Sequence, residues 1–167
     1  LNATITASAF TSALSLAANG VSIVATSLRG KRAGLTVSSM CSVCAEPALL
    51  LACINADNEF CAMADESGSF SINILKDYQA DISNVFAGLA DTDDADRFAS
   101  VGEWTTLTSG APILTDALVS LDCEVDTTLE RGTHRIYLGH VIDVRTTRGS
   151  PLIYTARGYA ALQTDEN

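Results

Sequence analysis

Two runs in the C-terminal third constrain the fold most. Ala117, Val119, Leu121, Cys123 and Val125 alternate with mostly polar partners, and Ile136, Leu138, His140, Ile142 and Val144 do the same. A period of two sends successive side chains to opposite faces of a strand, so each run reads as a long strand with its apolar set facing a core. The segment ERGTHR (residues 130–135) joins them with a glycine at the turn, which predicts an antiparallel hairpin. An RGSP turn (residues 148–151) then leads into a last strand, LIYTARGYAAL.

Upstream, Phe10, Ala13, Leu14 and Ala17 fall at helical spacing before Asn19 and Gly20, predicting an N-terminal helix of about four turns. VSIVATS (residues 21–27) is rich in β-branched side chains; a basic loop, LRGKRAG (residues 28–34), follows, and LTVSSMCSV resumes the strand pattern. Pro47 opens ALLLACIN (residues 48–55), apolar at nearly every position and expected to be a central buried strand. A short helix capped by Asn58 and stopped before Gly68 leads into the strand SFSINIL. A further helix with the stripe Ile82, Val85, Phe86 and Leu89 runs to about Ala90, and the acidic DTDDADRF (residues 91–98) reads as a solvated turn entering a short helix. Successive strands with turns every 8 to 12 residues favour a closed antiparallel barrel over a βαβ fold. At 167 residues the chain can bury roughly 70% of its unfolded surface, enough for a single domain over residues 1–167.

Charge and motifs remove several functions. Twenty acidic against ten basic side chains give a net charge of −10, which opposes neutralisation of phosphate backbones and so argues against a nucleic-acid partner. The first 28 residues carry no ionisable side chain, yet polar residues interrupt them throughout and no basic region precedes them, so neither a signal peptide nor a membrane span is expected. The sequon Asn2-Ala3-Thr4 therefore carries no weight. There is no G-x-G-x-x-G, P-loop, G-x-S-x-G or H-E-x-x-H. Five cysteines in apolar surroundings read as reduced thiols of a cytoplasmic protein. Cys41 and Cys44 have C-x-x-C spacing, but no second pair of Cys or His supplies further zinc ligands; core thiols are the reading, ahead of a zinc or redox pair, and no metal is expected.

Proton or hydride chemistry through imidazole must use His134 or His140. His140 alternates in phase with its apolar neighbours and reads as a hydrogen-bonded barrel residue, whereas His134 lies at the mouth of a hairpin beside Gly132, where side chains reach clefts. Thr36, Ser38, Ser39 and Ser42 put small and hydroxylated side chains on a strand edge beside Arg29, Lys31 and Arg32. Such a stretch can take a flat ring against main-chain groups, with the cations offsetting a phosphate.

The order GVSIVATS, GLTVSSMCSVCAEPALLLACIN, SFSINIL with Gln79 and Phe86, RGTHRIYLGHVIDV and PLIYTARGYAAL resembles the short-chain flavin reductase family over nearly the whole chain. The resemblance implies a mainly β fold, an antiparallel Greek-key split β-barrel with a few flanking helices. It implies a homodimer that binds FMN or FAD, oxidises NADH or NADPH, and in many members hands reduced flavin to a separate monooxygenase. Residue by residue, Thr36, Val37, Ser38 and Ser39 resemble the segment along the isoalloxazine ring and ribityl chain, with Thr26 and Ser27 as its neighbouring wall. Cys53, Ile54, Asn55 and Asn58 resemble the segment around the ribityl phosphate. Gly132 and His134 match the family's Gly-Asp-His turn near the nicotinamide, with Thr133 in place of the common Asp. Tyr154 and Arg157 on the last strand are expected to approach a flavin from the partner subunit. The alternative is reduction of a ferric or cobalt corrinoid complex through bound flavin; a flavin-binding module without turnover is the third reading.

Overall fold

The computed structural model describes residues 5–90 and 97–162; the sequon at residues 2–4 and most of the acidic run lie outside them. In chain order the elements are α1 (Ala7–Leu14), β1 (Asn19–Gly20), β2 (Ser22–Leu28), β3 (Lys31–Val37), β4 (Met40–Cys44), β5 (Leu49–Asn55), α2 (Glu59–Ser67) and β6 (Ser69–Ile74). They continue with α3 (Ala80–Phe86), α4 (Arg97–Ser100), β7 (Trp104–Thr106), β8 (Pro112–Leu114), β9 (Val119–Arg131), β10 (His134–Thr146), β11 (Ile153–Thr155) and β12 (Gly158–Ala160).

Seven strands form one antiparallel sheet in the order β3-β2-β6-β9-β10-β5-β4, with β1-β11-β12 and β7-β8 as two smaller sheets. The expected β9–β10 hairpin is present, each strand 13 residues long. The barrel is not closed by a ladder: β3 and β4 are the two edges of the sheet. Only Ser38 and Ser39 separate them, and three Cα steps reach at most about 11 Å, so the edges meet at one end. The result is a split barrel whose seam is two residues of chain.

Inside the curl, Phe60 from α2, Phe70 from β6 and Tyr137 from β10 meet edge to face at centroid distances of 5.6–6.4 Å. Gly139 makes that possible, because a Cβ there would stand 2.4 Å from the Phe70 ring. A second apolar cluster, including Ile23, Leu75, Phe86, Phe98 and Leu114, covers the other face of β2. β6 and β9 are thus covered on both sides where Ser71, Asn73, Ser120 and Asp122 lie fully buried or nearly so. Asn73 Oδ1 accepts from Leu114 N and Ser120 Oγ, each at 2.9 Å, and Asp122 accepts from Ser109 N at 2.7 Å, so these buried groups are satisfied.

Several expectations are corrected. The N-terminal helix has about two turns and buries no residue, because Asn19 and Gly20 pair with β11 instead of ending it. The basic loop shrinks to a turn at Arg29 and Gly30, both at positive φ; Lys31 and Arg32 belong to β3. LTVSSMCSV is not one strand but crosses the seam. β5 is next to the edge, with Leu50, Ala52 and Ile54 buried and Leu49, Leu51 and Cys53 half-buried. α3 stops at Phe86, leaving Leu89 exposed, and the last strand is a hairpin turning at Ala156 and Arg157. On β10 the phase is reversed: Tyr137 and Gly139 face the core, while His140 is exposed. Asn58 caps α2 and Gly68 ends it in the left-handed conformation, as expected. No helix among the described residues is long and apolar enough to cross a membrane.

Candidate functional site

Where β3 ends, a cleft of about 170 Å³ opens between Thr36, Val37 and Ser38 on one side and Ser83, Tyr154 and Tyr159 on another. Three of the residues expected along the flavin ring are therefore brought together on one wall. Thr36 Oγ1 donates to the Ser83 carbonyl at 2.7 Å, which ties β3 to α3 and turns the threonine methyl outward from that bond. Tyr159 Oη lies 2.9 Å from both Ser83 Oγ and Asn84 Oδ1, fixing the β11–β12 hairpin to the same helix. Tyr154, directly opposite Tyr159 in the ladder, meets its ring at 5.5 Å and 66°. The pair presents aromatic surface to the cleft from within this chain.

The seam connects the cleft to the remaining candidates. Ser39 Oγ donates to the Cys53 carbonyl at 2.9 Å, and Cys53 N donates to the Ser39 carbonyl at 3.4 Å. Two residues further along β5, about 6.6 Å, lies Asn55, and β10 sets His134 opposite it. Ala56 N donates to the Thr133 carbonyl at 3.0 Å, and His134 Nδ1 lies 2.9 Å from Thr133 Oγ1. Gly132 supplies the positive φ, 59°, that this turn needs. Asn58 Oδ1 accepts from Phe60 N at 3.0 Å at the start of α2, and Asn55 Oδ1 from Asp57 N at 3.0 Å. Thr36, Ser39, Cys53, Asn55, Asn58 and His134 thus follow one line from the cleft to the hairpin turn.

Other candidates lie elsewhere. Thr26 is fully buried, its hydroxyl donating to the Ser69 carbonyl at 2.8 Å, and Ser27 donates to the Gly110 carbonyl at 2.9 Å. Ile54 points into the core. Arg157 sits at the exposed tip of its turn, outside the cleft lining. The cations are also misplaced: Lys31 begins β3, six residues or about 20 Å from Val37, and Arg29 pairs with Glu66 near the C-terminal end of α2. Ser83 and Tyr159 were missed. Ser83 was hidden in a helix read only for its apolar stripe, and Tyr159 becomes a site residue only once the last segment is a hairpin that sets it against Tyr154.

Electrostatics separate structural from available groups. Burial raises the Cys61 thiol above its ordinary value and, with Asp122 beside it, pushes Cys123 up to about 12; both stay protonated at neutral pH. Burial likewise raises the Tyr137 hydroxyl, which donates toward the Cys61 carbonyl and Asp65. Cys41 and Cys44 are exposed, not core thiols. No cluster of three metal-ligating side chains occurs among the described residues.

Comparisons with known proteins show the family and the fold. Residues 14–163 match the flavin reductase like domain. An FMN reductase (NADH) RutF of Pseudomonas syringae pv. syringae is 37% identical over 94% of this chain and 87% of its own. Its counterpart from Acinetobacter baylyi is 37% identical over 90% of this chain and 79% of its own. Among solved structures, the flavin reductase PheA2 superposes with a TM-score of 0.87 at 28% identity, over 96% of this chain and all of that one. With a family match over residues 14–163 and relatives 37% identical over nine-tenths of its length, the chain belongs to the flavin reductase like domain family.

Proposed function

We propose that this chain is a flavin reductase of a single domain over residues 1–167, which takes hydride from NADH or NADPH and acts on FMN or FAD. The carrying observation is the continuous line from the tyrosine-flanked cleft through Ser39 and Cys53 to Asn55 and His134. The donor set fits a flavin: aromatic faces for the ring, main-chain groups of Ser38 and Ser39 outside any strand for its polar edge, and the start of α2 for an anionic end. Glu59 in the first turn of α2 already complements the helix dipole, so Asn55 and Asn58 carry more of that end. At about 170 Å³ the cleft is smaller than the roughly 300–1,000 Å³ that encloses a drug-sized ligand. It seats one part of the molecule, and the rest extends along the seam.

When bound together, nicotinamide supplies a hydride and the flavin ring accepts it. The work of this chain is to hold the two in register. Thr36, Val37 and Ser38 form the floor, Tyr154 and Tyr159 shield one side from water, and Ser39, Cys53, Asn55 and Asn58 take the polar tail. His134, on a turn fixed by the Ala56–Thr133 bond, orients the nicotinamide. Gly132 and the wall residues Thr26, Ser27 and Ile54 act through the shape of their segments, and Arg157, exposed at its turn, approaches a flavin held by the partner subunit. A homodimer is supported by half-buried Ile136, Leu138 and Ile142 on the outer face of β10, where a second copy would cover apolar surface. A flavin-dependent monooxygenase in the cytoplasm is the proposed recipient; a solved neighbour, TM-score 0.84 at 25% identity, is nitrilotriacetate monooxygenase component B from Mycobacterium thermoresistibile.

NADH oxidation in air by flavin-stripped protein, with and without added FMN, tests this. Saturable turnover that requires free FMN is expected. Turnover confined to ferric or cobalt acceptors through retained flavin would replace the reading, and FMN binding without NADH consumption would leave a storage module.

A further inference from the structure

We propose that Cys41 and Cys44 form a peroxide-sensitive dithiol that closes to a disulfide and slows the reductase. The sequence pattern alone argues against it, since residues three apart on a regular strand face opposite sides about 10 Å apart. The register of β4 removes that objection. Cys41 lies opposite Leu51, Ser42 opposite Leu50 and Cys44 opposite Leu49, so Val43 is an extra residue in a bulge. Leu49 and Leu51 share a face of β5, so the two cysteines share a face of β4, about 6.6 Å apart at Cα. A disulfide spans about 4.4–6.8 Å between Cα atoms, so a small contraction at the bulge suffices. Both thiols are exposed and donate weakly to main-chain carbonyls, Cys41 to Ser42 and Cys44 to Pro47, each at 3.1 Å. β4 ends the sheet, so this contraction breaks pairing with β5 alone.

The oxidant is hydrogen peroxide, and here the inference rests on the reductase reading. Reduced flavin that meets dioxygen instead of a partner yields oxidised flavin and hydrogen peroxide. One thiolate then attacks a peroxide oxygen, forming a sulfenic acid and releasing hydroxide. The second thiol displaces that oxygen as water, so two thiols and one peroxide become one disulfide and two waters. The consequence reaches the cleft because Cys41 is two residues from Ser39, whose hydroxyl and carbonyl both bond Cys53. Shortening β4 pulls on the seam that carries Ser38 and Ser39, and a displacement of about 1 Å there is enough to lower kcat/KM for FMN by about tenfold.

The test treats the intact protein with hydrogen peroxide, maps its thiols by peptide mass, and measures NADH oxidation at saturating and limiting FMN. Two fast-reacting thiols before treatment, a loss of two hydrogens linking Cys41 to Cys44, a drop in kcat/KM reversed by dithiothreitol, and peroxide-insensitive turnover in Cys41→Ser and Cys44→Ser are expected. No fast-reacting thiol, a bridge to Cys53, oxidation of one cysteine to a sulfinic acid, or a Cys41–Cys44 disulfide without loss of rate would each overturn it. Protein that forms the disulfide but never consumes NADH would overturn the reductase reading instead, because the thiol mapping needs no turnover. Catalase added during aerobic turnover should keep both thiols reduced; a disulfide that forms in its presence rejects peroxide as the oxidant.

Discussion

His134 and Tyr137 lie three residues apart on β10 and do opposite things. His134 is exposed, tied by its Nδ1 to Thr133 Oγ1, and free to meet a ligand through the rest of its ring. His134→Ala should lower kcat by about tenfold while FMN affinity, read by flavin fluorescence titration, stays within a factor of about two. Equal turnover of variant and parent would remove His134 from the site. Tyr137 is buried, with its hydroxyl engaged by Asp65 and the Cys61 carbonyl. Tyr137→Phe should cost about 1–2 kcal/mol in urea unfolding without changing KM for NADH. The roles of these residues were legible to different degrees. The Gly132–His134 turn could be read from the sequence because a turn needs a particular residue at a particular place. Thr26 could not be placed, because a threonine that faces a ligand and one that bonds the Ser69 carbonyl look the same in a strand pattern.

Strands and helices were legible where local chemistry decides them. Asn58 and Gly68 bracket α2 in the sequence as they do in the fold, and Asn58→Ala should lower stability by about 1 kcal/mol, measurable as a reduced urea midpoint at unchanged slope. The hairpin of β9 and β10 was legible for the same reason, but not its facing. Ile136, Leu138 and Ile142 look like the inward set, yet Tyr137 and Gly139 are inside. Alternation reports two different faces, and when the outer one is also apolar it does not say which is the core. Gly139 was the available signal, since a glycine in a long strand marks a close approach. Gly139→Ala, which sets a Cβ 2.4 Å from the Phe70 ring, should destabilise by about 1–3 kcal/mol, with calorimetry as the measure. The pattern runs through β3 and β4 as one strand, because nothing local records that a chain leaves one edge of a sheet and joins the other.

Across the whole molecule, distant segments are clamped by one ion pair. Lys76 is 4% exposed, its ammonium 2.6 Å from Asp116 Oδ1, while Tyr78 Oη donates to Asp116 Oδ2 at 2.6 Å. The hydrogen bond to Asp116 holds the Lys76 pKa above its ordinary value, and Lys76 followed by Tyr78 holds Asp116 below its own. The lysine contribution to stability is full below about 10.4 and is lost as pH rises through the raised folded value. The aspartate contribution is present above about 3.9 and is lost as pH falls through the lowered one. Asp116→Asn should therefore flatten both limbs of a melting-temperature profile against pH and lower its plateau, whereas an unchanged profile would deny the clamp a part in global stability. The seam has a consequence of its own on this scale. Ser38 and Ser39 belong to no strand, so the two sheet edges can part there with little loss of ladder. Amide hydrogens at that spot should exchange with deuterium early in the vacant protein and late in the FMN-loaded one, making the dipeptide a clock for occupancy that runs without any turnover.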